Sequence, residues 1–167
     1  TFTRDKPLSI DASIAFEQSY GGIEGDSASV AELYALLSAI AGVPARQSVA
    51  LTGSMDQHGA VQPIGGVNAK IEGFFDLVAE RGLDGSHGVI IPAANVEDLM
   101  LKEAVVDAVK AGKFTVWAIG HATEGVPILF GLPAGTPDRK RQWPPNSFYG
   151  KVDRALSKMA ALSKKYK

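Results

Sequence analysis

The chain has 167 residues, of which 46% are hydrophobic and 21% charged, and its formal net charge at pH 7 is -1. This length and composition are typical of one globular domain with a sizeable core, and they argue against disorder. The absence of cysteine excludes disulfides, thiol catalysis and cysteine-bound zinc. No apolar run approaches the ~18 residues that cross a bilayer, and no basic-then-apolar leader is found. The first residue is Thr1 rather than Met, which favours a piece cut from a longer protein.

Charge is distributed unevenly along the chain. Residues 138–167 include nine basic and two acidic residues, a net charge of +7, whereas residues 1–137 have a net charge of -8. We interpret the basic segment as a solvated tail that offsets an acidic body, because charge runs usually lie in solvent. Nucleic-acid binding is the weaker alternative, since it calls for basic residues interleaved with aromatic ones. The aromatic residues of this segment are Trp143, Phe148, Tyr149 and Tyr166.

The first part of the chain has an alternating pattern and then a helical one. Apolar residues occupy every second position within 9–17, which predicts a half-buried strand. Three glycines within 21–25 then indicate a tight turn. Over 27–41 the apolar residues follow a helical period, and Asp26 or Ser27 is placed to cap the start of this helix.

The middle of the chain alternates between short strands and helices. The apolar runs at 88–92 and 114–119 predict two buried strands. Before them, a polar turn separates the strands predicted over 47–53 and 61–64. The predicted strands cover 47–53, 61–64, 88–92 and 114–119, and the predicted helices run from Gly65-Gly66 to Gly82 and from Asn95, as its cap, to 109. We therefore predict an α/β (or α+β) fold in which helices pack on a mixed sheet.

The last part of the chain is predicted to be a linker and a helix. Residues 133–146 are rich in proline and glycine, and an apolar stripe within 147–165 predicts an amphipathic helix. We accordingly divide the chain into a main domain over 1–137 and a basic linker with a C-terminal helix over 138–167, packed on that domain or extending from it.

Ser27 is the candidate nucleophile. It lies between a glycine turn and the start of a helix, where glycine lets a substrate backbone approach closely. Free N–H groups at a helix start can hold a developing oxyanion. The alternative is that Ser27 only caps the helix.

Lys70 is the candidate base. It lies in the first turn of the helix that follows Gly65-Gly66, with Val67, Ile71 and Phe74 as near neighbours. Apolar surroundings disfavour the charged form of an amine, and a neutral amine can take the proton of a serine hydroxyl. The alternative is a surface lysine whose amine stays in solvent.

Other chemistries have less support. His58, His87 and His121 lie in or beside turns without metal-ligand spacing, and nothing near them in sequence indicates a Ser-His-Asp triad. The glycine-rich stretches match neither a P-loop nor a dinucleotide fingerprint, so we expect no nucleotide site within this chain. Glu24 and Asp26 are close in sequence, but turn and cap roles are their default interpretation, and we predict no metal site.

Two segments resemble the proteolytic domain of Lon proteases, in particular the LonB-like branch. Residues 16–29 read FEQSYGGIEGDSAS and resemble the nucleophile segment of that family. Residues 51–70 read LTGSMDQHGAVQPIGGVNAK and resemble its Thr-Gly turn and its lysine motif. The separation of Ser27 and Lys70, 43 residues, also matches the family pattern. The resemblance covers about residues 8–131, and the tail only loosely.

The resemblance implies a role for each matched residue. Ser27 takes the position of the nucleophile and Lys70 that of the general base, which makes 1–137 a Ser-Lys peptidase domain. Thr52 matches a threonine that helps to orient the lysine. Asp26, which precedes the nucleophile, is expected to support the pair. Backbone N–H groups at Gly25 and Ser27 are expected to form the oxyanion hole.

The resemblance also implies a function. It implies a serine endopeptidase that hydrolyses unfolded or misfolded proteins, coupled to an ATP-driven AAA+ unfoldase module that this chain lacks, or else an ATP-independent relative. We expect a cytoplasmic homo-hexamer that needs no metal or organic cofactor in this domain, with ATP and Mg²⁺ bound only by the unfoldase module. We expect no nucleic acid to bind here, and any membrane attachment to come from segments outside the chain. The alternative is a non-catalytic assembly or binding domain of the same fold.

Overall fold

The computed structural model describes residues 2, 8–15 and 25–165 of the chain. Helices and short strands alternate through most of this part, as the sequence predicts. In chain order the elements are α1 (Ser29–Ala41), β1 (Val49–Leu51), β2 (Ser54–Met55), β3 (Val61–Gln62), α2 (Val67–Arg81), β4 (Gly88–Pro92), a 3-10 helix (Ala93–Asp98), α3 (Glu103–Lys110), β5 (Thr115–Ile119), α4 (Ala122–Phe130) and α5 (Phe148–Ser163).

A three-stranded parallel sheet has the strand order β1-β4-β5. The central strand β4 is buried at all five positions, as the apolar run predicts. The prediction of a second buried strand is wrong for β5, which is mostly half-buried, with Ala118 exposed. The reason is its place at the edge of the described sheet, where one side has no neighbouring strand.

A separate antiparallel hairpin joins β2 and β3, with Ser54 opposite Gln62 and Met55 opposite Val61. Strands β1 and β3 lie within the predicted strands 47–53 and 61–64 but are shorter. The predicted polar turn is confirmed only in part, because Ser54 and Met55 form β2, which was not predicted and which pairs with β3, whereas β1 pairs with β4. The α/β class is likewise confirmed, with the parallel and antiparallel pairs in two sheets.

Residues 25–32 and 46–125 form one compact unit. Helix α2 begins after Gly66, which has a φ of 69°, and ends before Gly82, which has a φ of 94°; both values favour glycine. The helix buries one apolar face against β4, α3 and the residue before β5. The buried residues of this core are Val67, Ile71, Phe75, Val78, Val89, Ile91, Val105, Ala108 and Phe114.

The described parts of a second unit are residue 2 and the segments 8–15, 33–45 and 126–165. Phe130 of α4 stacks on Phe148 of α5 at a centroid distance of 4.1 Å and meets Tyr34 of α1 edge to face at 6.0 Å. Ser147 caps α5 by accepting the N–H of Gly150 over 3.0 Å. The linker and the last helix are thus observed where predicted, α4 was not predicted, and a division at residue 137 stays a prediction.

The strand predicted over 9–17 is wrong for its described residues. Residues 9–15 adopt no regular secondary structure, and Ile14 is 47% exposed. No described strand pairs with this segment, so its backbone is not part of a described sheet. Residues 16–24, which include the rest of this strand, Glu24 and most of the glycine turn, lie outside the described residues.

The single helix predicted after Asn95 is also wrong, because the segment forms a 3-10 helix and, after a break, α3. Two side chains of α2 capture backbone amides in the break: Asn68 accepts the N–H of Met100 over 2.9 Å, and Glu72 accepts that of Lys102 over 2.8 Å. Asn95 does not cap a helix. It is buried and bonds the backbone N–H and C=O of Ile64.

Candidate active site

Ser27 lies in the turn that leads into α1 and is half-buried. Its carbonyl oxygen accepts two hydrogen bonds from the segment after β1, one from the N–H of Gly53 over 2.8 Å and one from the hydroxyl of Thr52 over 3.2 Å. Val30 in turn donates its N–H to the carbonyl of Gly53 over 3.2 Å. These bonds fix the turn against β1 and leave the Ser27 hydroxyl free to point elsewhere.

Lys70 brings its amine to that hydroxyl from the first turn of α2. Its Nζ lies 2.9 Å from Oγ of Ser27 and 3.4 Å from Oγ1 of Thr52. The Ser27 distance is that of a direct hydrogen bond, whereas the Thr52 distance is long. The structure therefore brings together the three side chains that the sequence separates by up to 43 residues.

The apolar surroundings predicted for Lys70 are not observed. Lys70 is exposed, whereas its neighbours Val67 and Ile71 are buried. The reason is the helical period: successive side chains of a helix point about 100° apart, so Lys70 leaves the apolar face that Ile71 occupies. Its described partners are two hydroxyls rather than aliphatic groups.

Asp26 has a partner that the sequence did not reveal. Its Oδ2 accepts the hydroxyl proton of Ser54 over 2.5 Å, and Ser54 is 3% exposed. Oγ of Ser54 also lies 3.4 Å from Oε1 of Gln62, across the hairpin. The Asp26 carboxylate thus binds the hairpin instead of capping α1, and the start of α1 bonds the Asp26 carbonyl, which accepts both the N–H and the hydroxyl of Ser29.

Glycine is favoured at two positions around this turn. A Cβ at Gly53 would lie 3.2 Å from methyl groups of both Val30 and Val61, which is tighter than ordinary packing. Gly25 has a φ of 86°, in the left-handed region that favours glycine. The predicted glycine turn is confirmed at this residue, and the close packing around Gly53 brings residues 52–54 against residues 26–30.

The three histidines lie away from this pair of side chains. His58 is at the exposed tip of the hairpin, His87 precedes β4 next to Asp84, and His121 precedes α4. Their described contacts are with residues of their own turns or with one another's backbone, and none is with Ser27. This agrees with the lack of a triad signal in the sequence.

Two kinds of feature are absent from the described residues. Among residues 2, 8–15 and 25–165, no three histidine or acidic side chains are grouped to hold a metal ion. Within the same ranges, no helix combines the length and the apolar character that crossing a membrane requires.

Comparison with known families gives a direct match. Residues 14–123 fit the model of the Lon protease (S16) C-terminal proteolytic domain, a segment that includes Asp26, Ser27, Thr52 and Lys70. The chain belongs to this family. The resemblance noted in the sequence is thereby confirmed, and the match ends before α5 and the basic tail.

Individual relatives agree with this assignment. The chain is 53% identical to a Lon protease homologue of Escherichia coli (strain K12) over 128 residues. The aligned region is 77% of the chain and 22% of the relative. A Lon protease homologue of Haemophilus influenzae is 48% identical over 124 residues, 74% of the chain and 21% of the relative. An archaeal Lon protease of Methanothermobacter thermautotrophicus is 46% identical over 100 residues, 60% of the chain and 14% of the relative. The chain thus spans about a fifth or less of these proteins.

Proposed function

We propose that this chain is a serine endopeptidase domain in which Ser27 is the nucleophile and Lys70 the general base. The observation that carries the proposal is the 2.9 Å separation of Lys70 Nζ and Ser27 Oγ. A base must lie within direct hydrogen-bond reach of the proton that it removes, and this separation meets that condition. Membership of the Lon protease family supports the same reaction.

The proposed reaction proceeds by an acyl-enzyme. Neutral Lys70 takes the hydroxyl proton of Ser27 as Oγ attacks the carbonyl carbon of a peptide bond, and the resulting ammonium then protonates the leaving amine. Water next attacks the ester, with its proton going to Lys70, and the acid product leaves. No metal or organic cofactor takes part in these steps. N–H groups at Gly25 and Ser27 are the proposed oxyanion donors, since they precede the first turn of α1.

Thr52 is proposed to orient the base. Its hydroxyl proton is donated to the Ser27 carbonyl, so its oxygen is left to accept an N–H of Lys70. A neutral amine has two N–H groups and one lone pair. With one N–H directed at Thr52, the lone pair can face the Ser27 hydroxyl. Asp26 is proposed to support the pair indirectly, by holding the nucleophile turn on the hairpin through Ser54.

The exposure of Lys70 gives the substrate a part in activation. The proposed base acts in its neutral form, which a water-free environment favours. A polypeptide bound over Ser27 and Lys70 would exclude water from the pair and so favour the neutral amine. We therefore propose that the base becomes active mainly in the substrate complex.

The finer assignments about the whole protein are proposals as well. We propose that its substrates are unfolded or misfolded polypeptides, and that an AAA+ module outside this chain delivers them by using ATP and Mg²⁺. Homo-hexameric assembly and a cytoplasmic location stay predictions from the family resemblance. The family match and the small share of each relative that the chain covers support a catalytic part of a larger machine.

The decisive experiment measures hydrolysis of a labelled unfolded protein, together with covalent labelling by a serine-directed phosphonate probe. Ser27→Ala and Lys70→Arg should each lower the rate at least about a thousandfold, because arginine cannot deprotonate. The matched controls Ser13→Ala and Lys113→Arg change exposed residues and should keep full activity. Retention of more than a tenth of the rate in either site variant would refute the pair. A folded wild-type chain that shows neither hydrolysis nor labelling would instead favour a non-catalytic binding domain.

A further inference from the structure

His121 precedes α4, and the contacts of its imidazole assign the position of the ring proton. The backbone N–H of Thr123 donates to Nδ1 over 3.2 Å, and the Thr123 hydroxyl lies 2.9 Å from the same nitrogen. Nδ1 therefore carries a lone pair, and the proton belongs to Nε2. Nε2 lies 3.1 Å from the carbonyl oxygen of His58, which accepts that proton. A neutral imidazole therefore satisfies both the N–H of Thr123 and the carbonyl of His58.

The same ring lies among hydrogen bonds that join the hairpin tip to the start of α4, and we call this set of bonds the tie. Ala122 donates its N–H to the carbonyl of Gly59 over 2.8 Å, and Val61 donates to the carbonyl of Gly120 over 2.9 Å. Gly59 has a φ of 90°, and a Cβ there would lie 2.9 Å from Nε2 of His121. The hairpin backbone thus approaches the ring as closely as only glycine allows.

The tied hairpin reaches the nucleophile turn. Its first strand begins with Ser54, whose hydroxyl binds the carboxylate of Asp26, next to Ser27. Gln62 of the second strand lies 3.4 Å from the same hydroxyl. A change in the order of the hairpin therefore acts on the residues beside Ser27 through the Ser54–Asp26 bond.

We propose that His121 is a positioning residue that ties the β2–β3 hairpin to the start of α4 while its imidazole is neutral, and that protonation of the ring loosens this tie. Protonation would place a hydrogen on Nδ1, which the Thr123 hydroxyl oxygen can accept but which faces the backbone N–H of Thr123, so the bond from that N–H would be lost and the ring would shift. Acid favours protonation of an imidazole, so the hairpin is expected to loosen as the pH falls.

Charged and titratable groups around the ring do not reverse this direction. Asp56 and Glu124 are carboxylates of the two segments that the ring joins, and each already accepts a backbone N–H in its own turn. Glu124 is exposed, so its attraction for an imidazolium is screened by solvent. His58 meets the ring through its carbonyl, while its own ring is exposed at the hairpin tip. We therefore expect the lost hydrogen bond from the Thr123 N–H to decide the direction of the pH effect.

The test uses NMR on the 167-residue chain. Ring nitrogen shifts at pH 7.5 should show His121 as the Nε2-protonated tautomer. Amide hydrogen exchange, corrected for its intrinsic pH dependence, should show protection of Val61 and Ala122 falling about fivefold to tenfold between pH 7.5 and 5.0, as expected for one lost hydrogen bond. The amide of Gly88, which bonds Ser48 in the parallel sheet, should keep its protection.

Two variants separate the ring from its surroundings. Asparagine at 121 can still accept the N–H of Thr123, but it is too short to reach the His58 carbonyl and does not titrate. His121→Asn should therefore lower the protection of Val61 and Ala122 at pH 7.5 and abolish the step between the two pH values. His58→Gln should retain the step, because only the backbone of His58 is used. An Nδ1-protonated tautomer, no step in the wild type, or a step that persists in His121→Asn would overturn the proposal.

The effect on hydrolysis rests on the proposed function, whereas the exchange measurement does not. In the wild type kcat should fall more steeply between pH 7.5 and 5.0 than in His121→Asn, with KM changed less than kcat. An exchange step without this difference in kcat would confine His121 to the hairpin. Absence of hydrolysis in every variant would concern the Ser27–Lys70 assignment alone.

Discussion

Helix α2 has two stripes of side chains with different structural roles. One is an apolar face that packs into the core of its unit: Val67, Ile71, Phe75 and Val78. The other is a polar flank, with a spacing of four residues, that binds the break before α3: Asn68, Glu72 and Asp76. The apolar face stabilises by burial, which has no direction, whereas the polar flank fixes backbone positions through directed bonds.

Lys70 belongs to neither stripe. It lies beside the buried Ile71 in sequence, yet it is exposed and its amine reaches Ser27. The helix is thus held by one set of residues, whereas the proposed base lies outside that set. This separation means that stability and activity should respond to different substitutions in a single turn of helix.

The strongest test of this separation between stability and activity compares variants of two neighbouring residues, Lys70 and Ile71. Lys70→Ala should remove hydrolysis by at least about a thousandfold and change the free energy of unfolding by less than about 0.5 kcal/mol, since the residue is exposed. Ile71→Ala should cost about 2–5 kcal/mol of stability, because its side chain is fully buried. Urea unfolding and hydrolysis rates check both. A Lys70→Ala variant that unfolds as readily as Ile71→Ala would contradict the separation.

Thr52 provides a second test, because its hydroxyl contacts both Ser27 and Lys70. Thr52→Val keeps the shape of the side chain but removes the hydroxyl that joins the Ser27 carbonyl and the Lys70 amine. We expect kcat to fall about tenfold to a hundredfold, as for a lost hydrogen bond to a group that becomes charged. Thr52→Ser restores the hydroxyl and should recover most of the rate. No recovery in the serine variant would mean that the methyl group, rather than the hydroxyl, matters.

Asn68 tests the polar flank. Its side-chain amide donates to the carbonyl of Asp98 over 2.9 Å and accepts the N–H of Met100 over 2.9 Å. Asn68→Ala should lower stability by about 1–2 kcal/mol, with increased amide exchange at Met100. Glu80→Ala, an exposed change on the same helix, is the control and should stay within about 0.5 kcal/mol. Unchanged exchange at Met100 would show that the flank does not hold this segment.

The smallest effect concerns the turn of the hairpin, outside α2. Hydrogen bonds from the backbone N–H groups of Ala60 and His58 lower the pKa of Asp56 from its usual value of 3.8. A depressed folded-state pKa means that the stabilisation is present above about pH 4 and is lost as the pH falls through the folded-state value. Asp56→Asn should therefore lose less stability than the wild type between pH 5 and 3, measured by urea midpoints. Parallel acid curves for the two proteins would rule this out.

Local sequence signals determined much of the fold because each element depends mainly on its own residues. The glycines at 66 and 82 set the ends of α2 through their positive φ, and the apolar run of β4 predicts its burial. The pattern failed where distant groups compete. Asn68 and Glu72 take backbone amides that a continuous helix after Asn95 would have used, and no periodicity reveals that competition.

The sequence by itself determined the identity and the spacing of Ser27, Thr52 and Lys70, since their motifs are short and ordered along the chain. Only the tertiary structure decided their surroundings. It places Lys70 next to two hydroxyls on an exposed surface, pairs Asp26 with the buried Ser54, and places the ring of His121 between the N–H of Thr123 and the carbonyl of His58. The physical reason is that hydrogen-bond partners and solvent exposure depend on which segments come into contact in space. A pattern along the sequence does not show which distant segments these are.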